Sequence, residues 1–429
     1  MQKRTRILSF LLFACGVFSG LLLTHSQANA QNGIPEGYVA KNMQAVGYLE
    51  MEPPFKLAIQ EVEGRWYLYT GHLWAHGWSI IDVTEPTAPK LLKFVEGPEN
   101  TWTIQMEVED GKMITALQNQ AERWGGNPAQ PFEEGFLTWD LSDPANPKRL
   151  SHYRTGGTGV HRLGYYGGPY VHISARGLQD YRSGIYEIVD WEKNAVVGRW
   201  WVPGQREGEP PESANLHGPS YVVGNLAYLP FGGAGMVILD ISDVSQPKLV
   251  SRLDFSPPFN DNITVHSVLP LPERELAVVT SEAIRPGCDE ALNHASIVEI
   301  ADPAKPRLLS LFPLPVPPPG SPYGDFCEKG GRFGPHNLNY HRHSRFVENN
   351  ETRVYVTYFN AGLRVYDISN PRIPREVAYF IPPNPVKRYG PQPADTLVLQ
   401  TEDVLVDKRG FIYISNKNQG LWILRLSGG

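Results

Sequence analysis

The segment Val237-Ile238-Leu239-Asp240-Ile241-Ser242-Asp243 decides the fold of this chain. Its apolar run leads into a short acidic turn. The residues that follow, Lys248-Leu249-Val250-Ser251-Arg252-Leu253, again alternate in the manner of a strand. Two strand-like runs joined by a polar turn predict an antiparallel pair.

The same core recurs along the sequence, which makes it an internal repeat. The copies are Ile80–Pro86, Thr138–Pro144, Ile238–Asp243, Val298–Pro303 and Val365–Pro371, with a degenerate copy at Tyr186–Asp190. A second pair of short apolar runs precedes each core, as in Ser220–Val223 and Leu226–Leu229, which Gly224 and Asn225 separate. Each unit therefore has four predicted strands, and the period of roughly 50–60 residues is the size of a β-propeller blade.

The number of units follows from their second strands. These are Trp66–Thr70, Met113–Leu117, Tyr170–Ser174, Leu226–Leu229, Leu276–Thr280, Val354–Tyr358 and Phe411–Ser415. The last unit has only three strands, whereas Gln44–Met51 forms an extra strand before the first unit. We therefore predict an all-β, seven-bladed β-propeller over residues 31–429, in which Ala45–Met51 pairs with Leu421–Leu426 and closes the last blade.

The Val-Ile-Leu-Asp-Ile-Ser-Asp core resembles the LVIVD-repeat β-propeller family, and the resemblance extends over nearly the whole chain after residue 30. It implies the fold. It implies no activity, because propellers carry many functions.

Composition narrows the class of protein. The chain has 429 residues with 41 Gly, 38 Pro, 11 % aromatic and 20 % charged residues, which excludes disorder and collagen. A net charge of -6 and a pI near 6.1 give no basic surface for nucleic acid.

The first thirty residues have the layout of a secretory signal peptide. Lys3, Arg4 and Arg6 precede an apolar run over residues 7–23, and the stretch ends in Ala28-Asn29-Ala30. Cleavage after Ala30 would release a periplasmic or secreted protein, with a retained membrane anchor as the alternative. No later apolar run is long enough to span a bilayer.

Two cysteines, Cys288 and Cys327, remain after the predicted leader. In an oxidising compartment a pair of cysteines predicts one disulfide, and two free thiols are the alternative.

Histidines recur at one place in the repeat. The starts of four consecutive innermost strands align as Val160-His161-Arg162, Leu216-His217-Gly218, Val265-His266-Ser267 and Pro335-His336-Asn337, and the next unit aligns Thr401-Glu402-Asp403. The first two units lack His at the matching places, near Leu57 and Ile104. Because innermost strands of a propeller surround one axis, the four imidazoles are expected to converge.

Converging imidazoles are the commonest environment of a transition metal. We therefore interpret the four histidines as ligands of one ion, with Fe or Cu favoured and Zn or Mn as alternatives. The arrangement resembles seven-bladed propeller enzymes whose axial histidines hold a metal, such as the carotenoid cleavage oxygenases, although no sequence motif of theirs is matched. The alternative is that a histidine copied with the repeat only lines the channel.

Further candidates lie where second strands end, on the same predicted face. Glu282 and Arg176, with Glu402, are candidate catalytic residues, and His72, His76 and Lys417 are possible additional site residues. Long loops on this face are expected to cover the site. They are 118–134, 176–183, 204–216, 254–264, 282–295, 313–335 and 382–400. His341 and His343 are expected on the surface near the opposite face.

The sequence thus predicts an exported metal-dependent enzyme acting on a small organic substrate. An oxidoreductase or oxygenase is the first expectation, and a metal-dependent lyase or hydrolase is the second. A non-enzymatic propeller that binds protein or glycan is the remaining alternative. Substrate, metal identity and oligomeric state are not readable from the sequence.

Overall fold

The computed structural model describes residues 33–256, 259, 262–291 and 293–427. The predicted signal peptide lies outside these residues. The strands in chain order are β1 (Val39–Lys41), β2 (Met43–Leu49), β3 (Pro54–Val62), β4 (Arg65–His72), β5 (Gly77–Asp82), β6 (Lys90–Glu96), β7 (Thr101–Trp102), β8 (Met106–Glu109), β9 (Lys112–Asn119), β10 (Gly135–Asp140), β11 (Lys148–Tyr153), β12 (Gly159–Tyr165), β13 (Tyr170–Arg176), β14 (Ile185–Asp190), β15 (Ala195–Trp200), β16 (Tyr221–Val223), β17 (Leu226–Pro230), β18 (Met236–Asp240), β19 (Lys248–Leu253), β20 (Ile263–Leu271), β21 (Leu276–Glu282), β22 (Ala295–Glu299), β23 (Arg307–Leu311), β24 (Arg353–Thr357), β25 (Leu363–Asp367), β26 (Arg375–Ile381), β27 (Thr401–Val406), β28 (Phe411–Asn416) and β29 (Gln419–Leu426). Four single-turn 3₁₀ helices cover Glu122–Trp124, Gly232–Ala234, Pro272–Arg274 and Pro286–Cys288.

The described chain is all-β, and its sheets are antiparallel. Five sheets have four strands each, in the orders β3-β4-β5-β6, β16-β17-β18-β19, β20-β21-β22-β23, β1-β26-β25-β24 and β2-β29-β28-β27. A nine-stranded sheet holds two further four-stranded arrays, β8-β9-β10-β11 and β12-β13-β14-β15, which are joined where Gly159 pairs with Gln118. The arrays follow one another along the chain.

The repeated core accounts for the shape of each array. Its apolar residues, such as Ile238 and Leu239, are fully buried between sheets. Its aspartate turns the chain: Oδ1 of Asp240 accepts the backbone N–H of Ser242 at 2.8 Å. Asp82, Asp140 and Asp367 make the equivalent bond to the residue two places on. The repeat therefore specifies one strand, one turn and the start of the next strand.

The expected pairing of the N-terminal strand with the last strand is confirmed. β2 pairs with β29, and Leu49 lies opposite Leu421. The structure adds one feature that the sequence did not predict. Strand β1 pairs with β26, and the segment expected as the innermost strand of that sheet makes only an isolated bridge, between Leu338 and Val356.

The innermost strands of successive arrays contact one another. Contacts join β3 to β8, β8 to β12, β16 to β20 and β24 to β27, and β27 also contacts β3. The last array thereby meets the first. Of the residues expected to form the site, His161, His266 and Glu402 lie at the starts of innermost strands, and Arg176 and Glu282 end second strands. His217 and His336 lie in segments without regular strand structure.

The predicted disulfide is present, since Cys288 and Cys327 are bonded, with Cα atoms 5.5 Å apart. It ties the 282–295 loop to the 313–335 loop. Among the described residues, no helix has the length and apolar character needed to cross a membrane.

Candidate metal centre

Bulges at the starts of innermost strands position His161, His266 and Glu402. The register of β12 against β13 shifts between Val160 and Leu163, which places His161 and Arg162 in the bulge. Equivalent shifts occur in β3, β20 and β27, over Phe55–Lys56, Thr264–His266 and Glu402–Asp403. A bulge opposes extra residues to its partner strand and re-aims their side chains.

The four aligned histidines lie side by side, as expected. The ring centroids of His161 and His217 are 4.5 Å apart, those of His217 and His266 are 5.3 Å apart, and those of His266 and His336 are 4.8 Å apart. Consecutive repeats thus bring the imidazoles into one continuous row.

The carboxylate of Glu282 lies at the centre of this row. Its Oε2 is 3.1 Å from Nε2 of His217 and 3.4 Å from Nε2 of His266, and its Oε1 is 3.6 Å from Nε2 of His336. One ligand atom from each of His217, His266 and Glu282 lies within 4.8 Å of the other two. Glu282, from the end of β21, is therefore the most central carboxylate of the site.

Glu402 flanks the row beside two cations. Its Oε1 is 3.0 Å from Nζ of Lys417 and 3.5 Å from Nη2 of Arg332, and its Oε2 is 3.3 Å from Nδ1 of His336. Arg332 also donates to Oε1 of Glu282 at 2.9 Å. The two carboxylates therefore share one guanidinium.

Burial and neighbouring charges set the protonation of the cluster. Burial lowers the pKa of His217 and of His336 to about 4, and it lowers the pKa of His161 and His266 well below the ordinary value. Burial alone would raise the pKa of Glu282, but the surrounding imidazoles more than offset that effect, so its pKa lies well below the usual range. The site at neutral pH is a set of neutral imidazoles around an ionised carboxylate.

Burial also lowers the pKa values of two cationic side chains of the site. Burial lowers the pKa of Lys417 to about 8 and, helped by the nearby charge of Arg162, the pKa of Arg176 to about 9. The pKa of Glu402 is lowered as well: burial opposes ionisation, but the charge of Lys417 outweighs it together with that of other neighbours. Lys417 is therefore the group whose protonation changes closest to neutral pH.

Hydrogen bonds assign the ring protons of two histidines. Arg176 donates from Nη2 to Nδ1 of His217 at 2.8 Å, so the proton of that ring is on Nε2, which faces Glu282. In His336, Nδ1 lies 3.0 Å from the backbone carbonyl of Glu402, which can only accept. Nε2 of His336 therefore carries a lone pair, and it is buried without a hydrogen-bond partner.

The other two rings also present lone pairs at Nε2. Arg162 donates to Nε2 of His266 at 3.2 Å, and Nδ1 of that ring bonds Oγ of Ser267 at 2.7 Å. Nδ1 of His161 donates to Oε1 of Gln118 at 2.8 Å. Three of the four imidazoles therefore carry the lone pair on Nε2, whereas His217 presents an N–H. Only the lone pair of His336 is without a partner, because Arg162 donates to Nε2 of His266 and Nε2 of His161 lies 3.3 Å from Nε2 of His217.

The cluster forms one wall of a cavity of about 390 Å³. His161, His217, His336, Glu282 and Glu402 all line it. The apolar part of the lining includes Phe55, Leu73, Trp102, Ile104 and Trp124. The 118–134, 282–295 and 382–400 loops each contribute lining residues, in agreement with the expectation that long loops cover this face.

Arg176 and Lys417, which were predicted at the same face, line the cavity too, but His72 and His76 do not. His72 is fully buried, with its ring nitrogens bonded to the carbonyl of Pro53 and to Oγ of Ser79. Nε2 of His76 bonds Oε1 of Gln120 at 2.8 Å. Both rings are occupied in holding neighbouring segments.

The expectation that His341 and His343 lie on the surface is wrong. His341 is buried, and its Nδ1 is 2.7 Å from a carboxylate oxygen of Glu107. His343 packs edge-on against the ring of Tyr166, with centroids 4.6 Å apart. Lys56, which lies in the bulge of β3, is buried as well. His341 therefore belongs to the buried interior, whereas His343 lies in the turn that follows and is half-buried.

Sequence reasoning missed several lining residues. Arg332 comes from the 313–335 loop, outside every repeat, and no pattern marks it. Arg162 directly follows an aligned histidine, so the bulge could have indicated it. In the first repeat, the position that matches the aligned histidines was expected near Leu57, but Phe55, two residues earlier, lies in the bulge and lines the cavity. In the second repeat, Ile104 lines the cavity, as its alignment implied.

Comparison with known proteins identifies LVIVD repeats at residues 221–254 and 351–380. This repeat family is associated with β-propeller folds, and the resemblance drawn from the repeated core is confirmed. No curated protein matches the chain. Among solved structures, the chain is similar to the crystal structure of the computationally designed Ika8 protein, with a TM-score of 0.48 and 8% identity over 89% of this chain and 99% of that one. A likeness at that level carries no argument about function.

Proposed function

We propose that this protein is an exported, metal-dependent enzyme built on a seven-bladed β-propeller that the N-terminal strand closes. The propeller is supported by the seven four-stranded arrays in chain order and by the contact of β27 with β3. Export is supported by the leader-like layout of residues 1–30 and by the disulfide between Cys288 and Cys327.

The proposal of a metal site rests on one observation. Nitrogens of His217 and His266 and an oxygen of Glu282 lie within 4.8 Å of one another inside a buried cluster of neutral imidazoles. The unpartnered Nε2 of His336 adds a buried lone pair that a cation would satisfy. A set of imidazoles with one carboxylate suits iron, copper, zinc or manganese, with Fe or Cu favoured for oxidation chemistry.

The hydrogen bonds divide the ligands into two groups. His336 and Glu282 offer lone pairs directly, and His266 offers one once Arg162 gives up its bond to Nε2. His161 has a further lone pair at the end of the row, 3.3 Å from Nε2 of His217. His217 can bind through Nε2 only if its proton moves to Nδ1, and Arg176 must then give up its bond. We therefore expect His266, His336 and Glu282 to form the core of the ligand set.

When bound, the ion would activate dioxygen or polarise an oxygen of a small organic substrate. The residues of this chain then have separate tasks. The carbonyl of Glu402 holds Nδ1–H of His336 and fixes the direction of its lone pair. Arg332 bonds both Glu282 and Glu402 and holds the two carboxylates in position. The apolar wall excludes water from the reacting atoms.

A metal-dependent lyase or hydrolase is the second candidate, and Lys417 favours it. Its pKa of about 8 lets the amine gain or lose a proton near neutral pH, as a general acid or base requires. Its Nζ is 3.0 Å from Glu402 at the cavity wall.

Metal content of the exported protein tests the proposal. The wild-type chain, purified without chelator and dialysed against Fe(II), Cu(II), Zn(II) and Mn(II) separately, should retain close to one equivalent of one of them by inductively coupled plasma mass spectrometry. His266→Ala and Glu282→Gln should retain less than a tenth of that. His152→Ala, which removes a half-buried histidine bonded to the carbonyl of Glu134, is the matched control and should retain it all. Equal retention by His266→Ala and His152→Ala would overturn the proposal.

A further inference from the structure

Apart from the exposed Arg123, two guanidinium groups that line the cavity, those of Arg162 and Arg176, have no carboxylate partner among the described residues. Arg162 is buried, with 4 % of its surface exposed, and its side chain bonds the neutral ring of His266. Arg176 likewise bonds the neutral ring of His217. The Nε atoms of both arginines are buried and unpartnered. An imidazole accepts a hydrogen bond but does not compensate the charge.

The other charges of the site do not supply the missing anion. Arg332 and Lys417 already pair with Glu282 and Glu402. Arg123 and Asp395 also line the cavity, but both are exposed and their charges are opposite. The rest of the lining therefore holds four cationic side chains against two carboxylates. Uncompensated buried charge is costly, so a site of this kind is complete only when an anion occupies it. A bound metal ion would increase the positive charge further.

The apolar part of the lining has a different chemistry. Phe55, Leu73, Trp102 and Ile104 are buried together, and the rings of Trp102 and Trp124 are 5.5 Å apart. The two walls meet at cation–π contacts, where Arg162 lies 5.9 Å from the ring centroid of Phe55 and Lys417 lies 5.2 Å from that of Trp124. A ligand that fits both walls has an anionic end and an aromatic body.

The size of the cavity limits the ligand. A volume of about 390 Å³ is near the lower end of the roughly 300–1,000 Å³ found for small-molecule sites. It accommodates one aromatic ring with a short acidic side chain rather than a polymer.

We propose that the cavity binds a monocyclic aromatic carboxylate, with the carboxylate on Arg162 and Arg176 and the ring against Phe55, Trp102 and Trp124. Guanidinium groups favour carboxylates because their paired N–H donors match the two oxygens. This inference names the substrate class of the proposed enzyme and rests on that function only for the reaction, since the binding itself needs no metal.

Isothermal titration calorimetry with 3-phenylpropanoate tests the inference on the wild-type protein stripped of metal by chelator. The acid should bind at least about tenfold more tightly than its neutral analogue 3-phenylpropan-1-ol and than acetate, since each of these lacks one half of the match. Equal affinity for the acid and the alcohol would overturn the inference, and this comparison needs no variant.

Variants then locate the carboxylate. Arg162→Met and Arg176→Met should each lower the affinity for 3-phenylpropanoate by about tenfold or more, as expected when a charged hydrogen bond is lost. Arg149→Met, on the exposed part of strand β11, is the matched control and should leave the affinity unchanged. Equal affinity in Arg176→Met and Arg149→Met would place the acid elsewhere and overturn the inference.

Failure of the inference and failure of the proposed function are distinguishable. Acid binding by a protein that never takes up metal would support the carboxylate site and refute the metalloenzyme. Stoichiometric metal without acid binding, in either the stripped or the loaded protein, would refute the carboxylate site and leave the metalloenzyme standing.

Discussion

Arg176 donates a hydrogen bond from Nη2 to Nδ1 of His217 across 2.8 Å. The guanidinium thereby holds the ring proton on Nε2, the nitrogen that faces Glu282 at 3.1 Å. A metal ligand needs a lone pair at that position. Arg176 and a metal ion therefore compete for His217, and their competition gives the first of four predictions.

Arg176→Gln should bind divalent metal about tenfold more tightly than the wild type at pH 7, because removing a cation near the site favours a second positive charge and frees Nδ1 of His217 for the proton. Competition with a chromogenic chelator measures the affinity, with Arg149→Gln as the control. Weaker metal binding in Arg176→Gln would contradict the assignment of the His217 proton. The same substitution should lower the affinity for 3-phenylpropanoate, so the affinities for metal and for the acid change in opposite directions.

The neutral histidines predict an acid-sensitive fold. Burial lowers the pKa of His217 and His336 to about 4, from 6.5 in the unfolded chain. As the pH falls below 6.5 the unfolded state takes up protons that the folded state refuses. Above pH 6.5 both states hold these rings neutral, so the free energy of unfolding does not depend on them. Between pH 6.5 and 4 the free energy of unfolding falls by about 1.4 kcal/mol per pH unit for each such histidine.

Urea unfolding at several pH values between 7 and 5, with chelator present, measures this loss. The free energy of unfolding should fall steadily towards pH 5, and His336→Gln should show a shallower dependence than the wild type. Parallel curves for the two proteins would contradict a neutral, buried His336.

The disulfide should stabilise both the fold and the cavity. Cys288 and Cys327 are 39 residues apart in sequence, and closing a loop of that length contributes about 2–4 kcal/mol. The bond also ties Pro286, which lines the cavity, to the loop that supplies Arg332. The double variant Cys288→Ser with Cys327→Ser should therefore melt several degrees lower than the oxidised wild type by differential scanning calorimetry. An unchanged melting temperature would show that neither loop depends on the link.

The closing strand β2 should tolerate no side chain at Gly47. A Cβ atom there would overlap the backbone carbonyl of Pro86, whose position is fixed by the repeated core. Gly47→Val should cost about 2 kcal/mol or more of unfolding free energy, as overpacking against backbone does. Gln44→Val, at an exposed position of the same strand, is the control and should change stability little. Similar unfolding midpoints for the two variants would contradict the packing of β2 against the first array.

The sequence predicted the parts of the molecule that repeat. Asp240 and its equivalents mark each turn, so the second strands and the pairing of β2 with β29 could be found from the pattern. His161, His217, His266 and His336 could be aligned because each starts an innermost strand. Glu282 could be found because it ends a second strand on the same face.

The rest depends on geometry that no repeat encodes. Arg332 reaches Glu282 from a loop outside the repeats, and only the fold brings the two together. The bulge in β3 moves the matched position from Leu57 to Phe55. His341 follows a segment that makes little regular pairing, so its chain turns inward and its ring finds Glu107 in the interior.

A metal ion held between the histidine row and Glu282 would be visible in a crystal. Anomalous diffraction from crystals of the exported protein, collected on both sides of the absorption edge of the metal found by mass spectrometry, tests for this ion most directly. We predict one strong peak within about 2.0–2.2 Å of Nε2 of His266 and a similar distance from a carboxylate oxygen of Glu282. A full-occupancy metal peak elsewhere, or no peak in metal-saturated crystals with Glu282 still bonded to His217, would contradict it.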